Sequence, residues 1–207
     1  MKRHALAVGL FSLAVAASAF IGPKTAPAHR DEMAGLTFPK TLGGFAYVSL
    51  HHYGSAALGY SLCYKLENMA KADVYVYTKD IADIPSGISN AVVKTENRTL
   101  RMELDLMQQH GDYQNLTPLD SGVKAASERI AFLWGRYSFT ASGHAVVSET
   151  FLTGYANRFI KVRLTGKAEH AAAVRAATDA FIEALAAALE AETEPGVLAQ
   201  AIPPSRG

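Results

Sequence analysis

The sequence predicts an α+β fold, a mostly antiparallel sheet sandwiched between helices. Three strand patterns are followed by a long helical pattern, several further strands and a second helical pattern. Short turns join most of these strands, which favours antiparallel pairing, and strand and helix do not alternate regularly. The last predicted hairpin carries large apolar side chains on both faces, so we expect a helical layer on each side of the sheet.

The first half of the chain contains three strand patterns, at Phe45–His52, Leu58–Leu66 and Asp73–Thr78. Alternation of side chains puts Tyr60 and Tyr64 on one face of the second strand, and Tyr75 and Tyr77 on one face of the third. We expect the four tyrosines to form one tyrosine-rich side of the sheet. They would either pack across the strands or provide a surface for a ligand or a partner.

The first helical pattern spans Ala91–His110, with Ser89 or Asn90 as its cap and Gly111 as its stop signal. Apolar residues recur at helical spacing along it, at Val93, Leu100, Leu104 and Met107. The charged residues fall mostly outside this stripe, and we therefore expect side chains such as Glu96 to be solvated.

The second helical pattern, Lys167–Glu192, is rich in alanine, which has the best helix propensity and allows close packing on a sheet. Its larger apolar residues again follow helical spacing, at Val174, Phe181, Leu185 and Leu189. Between the two helices the strand signals differ in strength. The weaker ones are Tyr113–Leu119 and Val123–Glu128, and a strong one is Ile130–Phe139.

The hairpin at His144–Thr165 is the stretch around which the predicted sheet is organised. Gly154–Ala156 predicts a three-residue loop in which the glycine takes a positive φ. The pairs on one face would then be Thr153–Asn157, Phe151–Phe159 and Glu149–Lys161, the last one partly solvated. The other face would carry Ile160, Val162 and Leu164, which we expect to lie in the core beneath a helix.

The N-terminus predicts an export signal over residues 1–19. Lys2 and Arg3 precede an apolar run, Ala5–Ala17, and the small residues up to Ala19 fit a signal-peptidase site between Ala19 and Phe20. A retained transmembrane anchor is the alternative, because Ala5–Gly22 is just long enough to span a bilayer. We expect a flexible lead-in at 20–36, a single domain at 37–192 and a disordered tail at 193–207.

Charge and cysteine content exclude several classes of protein. The 207 residues carry a formal net charge of +1, and removal of the signal with Lys2 and Arg3 changes it to −1. Such a balance gives no basic footprint for nucleic acid, and no second segment is apolar enough to span a membrane. Cys63 is the only cysteine, which excludes an intramolecular disulfide and a cysteine-rich zinc site. Its strand setting predicts a buried free thiol.

The sequence contains no motif that predicts catalysis, a cofactor or a metal site. A GxSxG elbow, a glycine-rich phosphate loop, HExxH and CxxC are all missing. His51 and His52 are adjacent, but neighbours on a strand point to opposite faces and cannot easily bind one metal ion. A hydrolase is therefore the least favoured function, since the sequence shows no nucleophile with a base.

One longer segment carries a family resemblance. The run KADVYVYTKDIADIPSG at 71–87 is followed by a long helix, a strand-rich half ending in YANRFIKVRLT, and an alanine-rich helix. This pattern resembles uncharacterised bacterial secreted proteins, and over Thr37–Glu192 the order of elements is similar to the PsbP-like fold. The resemblance implies a three-layer α/β/α architecture of a kind whose members largely bind proteins, and it implies no catalytic residue.

Two functional hypotheses follow. The first is an exported, non-catalytic binding or assembly factor of the bacterial cell envelope, located in the periplasm or secreted, with a protein partner. The second is a carrier that holds a small apolar ligand between sheet and helix, near the four tyrosines. An enclosed apolar pocket would favour the carrier, and a flat exposed patch would favour the assembly factor.

Overall fold

The structure, a computed structural model, describes residues 27–191. The predicted signal peptide and the predicted tail at 193–207 lie outside the described residues. Ten strands and two α-helices are present in this range. The strands are β1 His29–Asp31, β2 Leu36–Phe38, β3 Thr41–Leu42, β4 Phe45–His52, β5 Tyr60–Leu66, β6 Ala70–Tyr77, β7 Gln114–Ala125, β8 Ala131–Ala141, β9 His144–Tyr155 and β10 Arg158–Lys167. The helices are α1 Ala91–Gln109 and α2 Ala171–Ala191, and a short 3-10 turn, Ala168–His170, leads into α2.

Eight of the strands form one antiparallel sheet in the order β3-β4-β5-β6-β10-β9-β8-β7. It consists of two four-stranded meanders, β3–β6 and β7–β10, joined where β6 pairs with β10. Because α1 connects β6 in the middle to β7 at the edge, it crosses one face of the second meander, and α2 lies on the opposite face. The α+β fold with helical layers on both faces of a mostly antiparallel sheet is therefore confirmed.

The larger core lies between α2 and the sheet. Phe181 of α2 packs edge-to-face on Phe45 and Tyr64 at ring distances of 5.1 and 5.6 Å. The predicted apolar stripe of the helix is buried, as is the strand run that faces it: Val174, Phe181, Leu185, Leu189, Ile160, Val162 and Leu164. The prediction that this strand run lies beneath a helix is thus confirmed. Side chains fill the layer closely, and even a methyl group added at Gly166 would approach Val174 to 2.6 Å.

The smaller core lies beneath α1. Asn90 caps this helix, its side-chain oxygen accepting a hydrogen bond from the Val93 amide at 2.8 Å. Val93 and Leu100 pack with Leu152 and Phe159 of the sheet. The expectation for Glu96 was wrong, because this side chain is buried and accepts hydrogen bonds from Tyr77 and Lys79. Its carboxylate is therefore part of a polar contact that holds α1 to β6.

The β9–β10 hairpin differs from the predicted register. A two-residue turn at Ala156 and Asn157, with φ of 48° and 57°, replaces the predicted three-residue loop. This is the backbone of a type I′ turn, and Asn157 fixes it by accepting from the Ile84 amide and donating to the Ala82 carbonyl. Gly154 does not take a positive φ. It is needed because a Cβ there would lie 2.1 Å from the Pro85 carbonyl oxygen.

The shifted register moves Glu149 into the core. It pairs with Leu164 rather than with Lys161, so Glu149 and Phe151 lie on the α2 face while Phe159 and Lys161 lie on the α1 face. Glu149 is 4% exposed, accepts a hydrogen bond from the Trp134 indole at 2.7 Å, and has Arg136 3.8 Å away. The predicted solvated pair with Lys161 was therefore wrong. Burial raises the pKa of Glu149, which the Trp134 hydrogen bond only partly offsets.

We expect Glu149→Gln to raise the melting temperature at neutral pH. A carboxyl group whose pKa is raised by folding opposes folding when it is ionised, and the amide oxygen can still accept from Trp134. The difference between the two proteins should disappear as the pH falls below the ordinary glutamate pKa of about 4.3, where both side chains are neutral. Thermal melts between about pH 3 and 8 measure this, and a variant less stable than wild type at neutral pH would contradict it.

Two further expectations need correction. The predicted flexible lead-in at 20–36 is structured in its second part, because β1 and β2 form a hairpin whose turn is held by two amide hydrogen bonds to Asp31. Leu36 and Phe38 of this hairpin are buried in the α2 core, which explains why the segment is ordered. The two weak strand signals between the helices form one continuous strand, β7, interrupted only by irregular pairing near Asn115 and Leu119.

Candidate functional site: the open face and the α1 cleft

The four predicted tyrosines do not share one surface. β5 pairs with β6 so that Tyr60 is opposite Val76 and Tyr64 is opposite Ala72. Residues directly opposite each other lie on the same face of a sheet, so Tyr60 and Tyr64 lie on the α2 side with these small and branched residues. Tyr75 and Tyr77 lie on the α1 side. The expectation of one tyrosine-rich side was therefore wrong.

Tyr60 and Tyr64 are structural. The Tyr60 hydroxyl donates to Asp31 at 3.0 Å, which attaches the β1–β2 hairpin to the sheet. The Tyr64 hydroxyl donates to the carbonyl of Pro39 at 2.9 Å. Both rings are buried, and this burial raises the pKa of each phenol. The hydroxyl groups of both side chains are therefore occupied by contacts within the protein.

Tyr75 and Tyr77 lie at the margin of α1 and differ from each other. Tyr77 is buried, and burial together with the nearby Glu96 raises the pKa of its hydroxyl. Tyr75 is half-buried, and burial raises its pKa to about 12. Its ring stacks on that of Tyr53 with centroids 6.4 Å apart, and its other neighbour is the ammonium of Lys161. Tyr75 therefore joins two features, a surface on β4–β6 and a cleft beneath α1.

The first feature is the open face, the α1 side of β4, β5 and β6. Among the described residues, the core clusters beneath α1 contain no side chain from β4 or β5, so this part of the sheet carries no helical layer. Its residues are exposed or half-buried, apart from Ser61, which accepts or donates a hydrogen bond with the Tyr53 hydroxyl at 2.9 Å. They are Ser49, His51, Tyr53, Ser61, Cys63, Lys65, Lys71, Asp73 and Tyr75.

Cys63 lies on this open face as a free thiol that is half-buried, and not buried as predicted. Strand pairing places it beside Asp73, and desolvation and that carboxylate both raise the pKa of the thiol. A raised pKa lowers the fraction of reactive thiolate. His51 is exposed on the same face, whereas His52 lies on the other side near Tyr60, as the strand period predicts.

Positive charge predominates on the open face. Lys65 and Lys71 lie opposite each other, and the one carboxylate between the strands, Asp73, is already paired with Lys71 at 2.9 Å. Arg163 of β10 is the direct neighbour of Asp73 and adds a further positive charge. An aromatic stack surrounded by excess cations suits an acidic partner, because unpaired charges on a surface select the opposite sign.

The second feature is the α1 cleft, a cavity of about 400 Å³ between the C-terminal half of α1 and β9–β10. Its upper wall consists of Leu100, Glu103, Leu104, Leu106, Met107 and His110, and its floor consists of Thr150, Lys161 and Arg163. Most of the wall is apolar. The two cations of the floor, Lys161 and Arg163, are two residues apart on β10 and therefore lie on the same face of the sheet. Cavities of roughly 300–1,000 Å³ with a few convergent polar groups are typical of small-molecule sites.

Lys161 is the most unusual residue of the cleft. Burial beneath α1 lowers the pKa of its ammonium, an effect that the charges of Glu103 and Glu96 oppose. The ammonium lies 4.3 Å from the ring centre of Tyr75 and 5.7 Å from that of Tyr77. Among the described residues, no carboxylate oxygen lies within 4.0 Å of it. Its charge is thus compensated by aromatic rings and not by an ion pair.

Arg163, like Lys161, is a cation that contacts aromatic rings. Its guanidinium donates a hydrogen bond to the Tyr113 hydroxyl at 2.7 Å and lies 5.9 Å from the ring centre of Phe139. No carboxylate of the described residues forms an ion pair with it. Neither cation was predicted as a candidate from the sequence, although two charged residues that alternate with the apolar Ile160, Val162 and Leu164 were a usable signal.

Residues 27–191 contain neither a cluster of metal-ligating side chains nor a helix that could span a membrane. No three side chains of the types His, Cys, Asp and Glu come close enough together there to hold a metal ion. None of the helices in this range has the length and apolar character needed to cross a membrane.

Two solved structures are among those that match this chain. One is cyanobacterial PsbP (CyanoP) from Synechocystis, with 14% identity, 79% of this chain and 94% of that chain covered, and a TM-score of 0.48. The other is LpqN of Mycobacterium tuberculosis, described as involved in cell envelope biogenesis, with 12% identity, 65% and 75% coverage, and a TM-score of 0.33. The first bears the name of the family that the order of elements resembles. Both scores are too low to transfer a function.

Neither protein-family models nor curated protein sequences match the chain.

Proposed function

We propose that this protein is an exported, non-catalytic binding or assembly factor of the cell envelope that recognises an acidic protein partner through its open face. The proposal includes cleavage of residues 1–19, so that the mature chain begins at Phe20. The observation that carries it is the arrangement of the sheet: on one face α2 and the β1–β2 hairpin pack on β4, β5 and β6, whereas on the other face α1 leaves β4 and β5 uncovered.

The chemistry of the open face supports a protein partner. The stacked rings of Tyr53 and Tyr75 offer a rigid aromatic surface with hydroxyl groups, of the kind enriched at protein interfaces. Lys65 and Lys71 are exposed beside it, and such charges raise association rates with acidic partners more than they raise affinity. Binding should therefore weaken with salt, since exposed charges are screened over about 8–10 Å at physiological ionic strength.

The test is site-specific photo-crosslinking in the exporting bacterium. A photoreactive phenylalanine analogue replaces Tyr53 in the full-length chain, and the same analogue at Glu183, exposed on the outer side of α2, serves as the matched control. We expect the analogue at position 53 alone to capture an envelope protein with an acidic surface. In the crosslinked product, the chain of this protein should begin at Phe20.

The charge dependence has its own control. Exchange of Lys65 and Lys71 for glutamate should abolish the crosslink from the Tyr53 position, whereas the analogue at Glu183 should be unaffected by that exchange. Equal crosslinking from both faces would contradict a specific open-face interface. If this protein still begins at Met1 and is found in the membrane fraction, the result would contradict cleavage and favour a retained transmembrane anchor.

A carrier of a small, largely apolar ligand is the second candidate function, favoured by the α1 cleft. The interface between α2 and the sheet, the other place where such a ligand could lie, is occupied by aromatic and aliphatic side chains. The cleft beneath α1 is instead open, and its wall is mostly apolar. Lys161 on its floor contacts the rings of Tyr75 and Tyr77, two of the four tyrosines of the hypothesis.

A further inference from the structure

We propose that the α1 cleft binds an aliphatic monocarboxylate, with the carboxylate between Lys161 and Arg163 and the hydrocarbon chain along the apolar wall of α1. The proposal rests on the carrier function given above as the second candidate, and it specifies the class of ligand. It does not depend on the protein partner of the open face.

The floor of the cleft lacks a counter-ion. Two cations that follow each other on one face of β10 are held in place by tyrosine and phenylalanine rings, and neither has a carboxylate at ion-pair distance among the described residues. Both side chains are half-buried, and cations that lose water in a protein are usually paired, because an uncompensated desolvated charge is costly. A ligand carboxylate would supply the missing partner and could accept hydrogen bonds from both groups.

The apolar wall of the cleft favours a ligand whose carboxylate is attached to an aliphatic chain. Leu100 and Leu104 form its inner part, and Leu106 and Met107 extend it towards solvent, where Leu106 is 47% exposed. An aliphatic chain lying along this wall would remove Leu106 from water, which is favourable in proportion to the apolar area covered. The methionine side chain is flexible and adapts to chains of different shape.

The charge of the cleft favours one negative charge over two. Lys161 and Arg163 contribute two positive charges, and Glu103 on the wall contributes one negative charge. The nearby carboxylates of Asp73 and Glu96 are already paired with Lys71 and Lys79. One ligand carboxylate therefore neutralises the site, whereas a phosphate monoester, with close to two negative charges at neutral pH, would leave an excess of negative charge beside Glu103. A cationic amphiphile would be repelled by both floor residues.

The proposal is tested by isothermal titration calorimetry of the full mature chain. Four amphiphiles of equal chain length are titrated into it: dodecanoate, dodecyl phosphate, dodecanol and dodecyltrimethylammonium. We expect dodecanoate to bind one to one, about tenfold or more tighter than dodecanol, which corresponds to one charge-assisted hydrogen bond. Dodecyl phosphate should bind more weakly than dodecanoate, and the cationic amphiphile should not bind.

Substitutions locate the site. Lys161→Met keeps the length and apolar stem of the side chain, and should reduce dodecanoate affinity about tenfold while leaving dodecanol affinity unchanged. Arg163→Gln is the second variant with the same expectation. Lys40→Met removes an exposed lysine outside both the cleft and the open face, and is the matched control that should bind like wild type.

The outcomes separate the hypotheses. If dodecanol and dodecanoate bind equally, or Lys161→Met and Arg163→Gln bind dodecanoate as tightly as wild type, the monocarboxylate proposal is overturned and the carrier function stands. If none of the four amphiphiles binds, both are overturned. Neither result bears on the protein partner of the open face, which the crosslinking experiment tests separately.

Discussion

Gly43→Ala is expected to destabilise the protein by about 3–5 kcal/mol, the sum of a strained backbone and an overpacked contact. Gly43 lies in the turn between β3 and β4 with a φ of +52°, where a side chain costs energy at any site. A Cβ atom there would also lie 2.4 Å from the backbone of Ala180 and Phe181, in the middle of α2. Backbone of a packed helix cannot yield as a flexible side chain can, so the helix would have to move away from the sheet.

Gly44→Ala is the matched control for this prediction. Gly44 is the next residue in the same turn and has a φ of +88°, but an added Cβ would meet no atom within 4 Å. Its cost should therefore be the backbone strain alone, about 1–2 kcal/mol. Denaturant unfolding of the two variants measures the difference, which reports the contact between turn and helix. Equal destabilisation by the two substitutions would show that α2 does not lie against this turn.

The elements of the fold could be predicted because each follows from a local pattern. Alternation identified β4 and β5, and the β-rich run at residues 73–78 identified most of β6, which begins three residues earlier at Ala70. The cap at Asn90 and the alanine-rich pattern located both helices, with α2 beginning four residues later than expected, at Ala171, after the 3-10 turn. These signals depend on neighbours in sequence and need no knowledge of the tertiary structure.

The register of the β9–β10 hairpin could not be predicted, because it depends on distant residues. Gly154 was the obvious residue for a positive φ, and a three-residue loop made good pairs of Phe151 with Phe159 and Glu149 with Lys161. The actual turn is selected by the hydrogen bonds of Asn157 to the loop at Ala82 and Ile84, more than seventy residues earlier. The same loop approaches Gly154 so closely that only glycine fits.

The candidate site was missed for a related reason. Alternation correctly grouped Tyr60 with Tyr64 and Tyr75 with Tyr77, but the relation between the two pairs depends on how β5 pairs with β6. A shift of one residue in that pairing would exchange the faces. Lys161 and Arg163 were overlooked because a charged residue in a strand is usually solvated, whereas here α1 lies above them.

Ile160→Asp is expected to cost about 4 kcal/mol or more and to leave little folded protein. Ile160 is fully buried beneath α2, opposite Val76 on one neighbouring strand and Thr153 on the other. Both strand neighbours are uncharged and the side chain lies in an apolar cluster, so the carboxylate would be ionised in apolar surroundings or protonated at an energetic cost. Ile160→Val, which removes one methylene group, should cost only about 0.5–1.5 kcal/mol.

Lys161, the next residue, provides the comparison that shows which face of β10 lies beneath α2 and which lies beneath α1. It points to the α1 side, and Lys161→Ala removes its contacts with Tyr75 and Tyr77, worth about 0.5–1 kcal/mol, together with a desolvated charge. These effects oppose each other, so the variant should melt within a few degrees of wild type. Thermal melts of both variants give the answer: a tolerated Ile160→Asp beside a damaging Lys161→Ala would mean that the two faces are exchanged and that the α1 cleft does not contain Lys161.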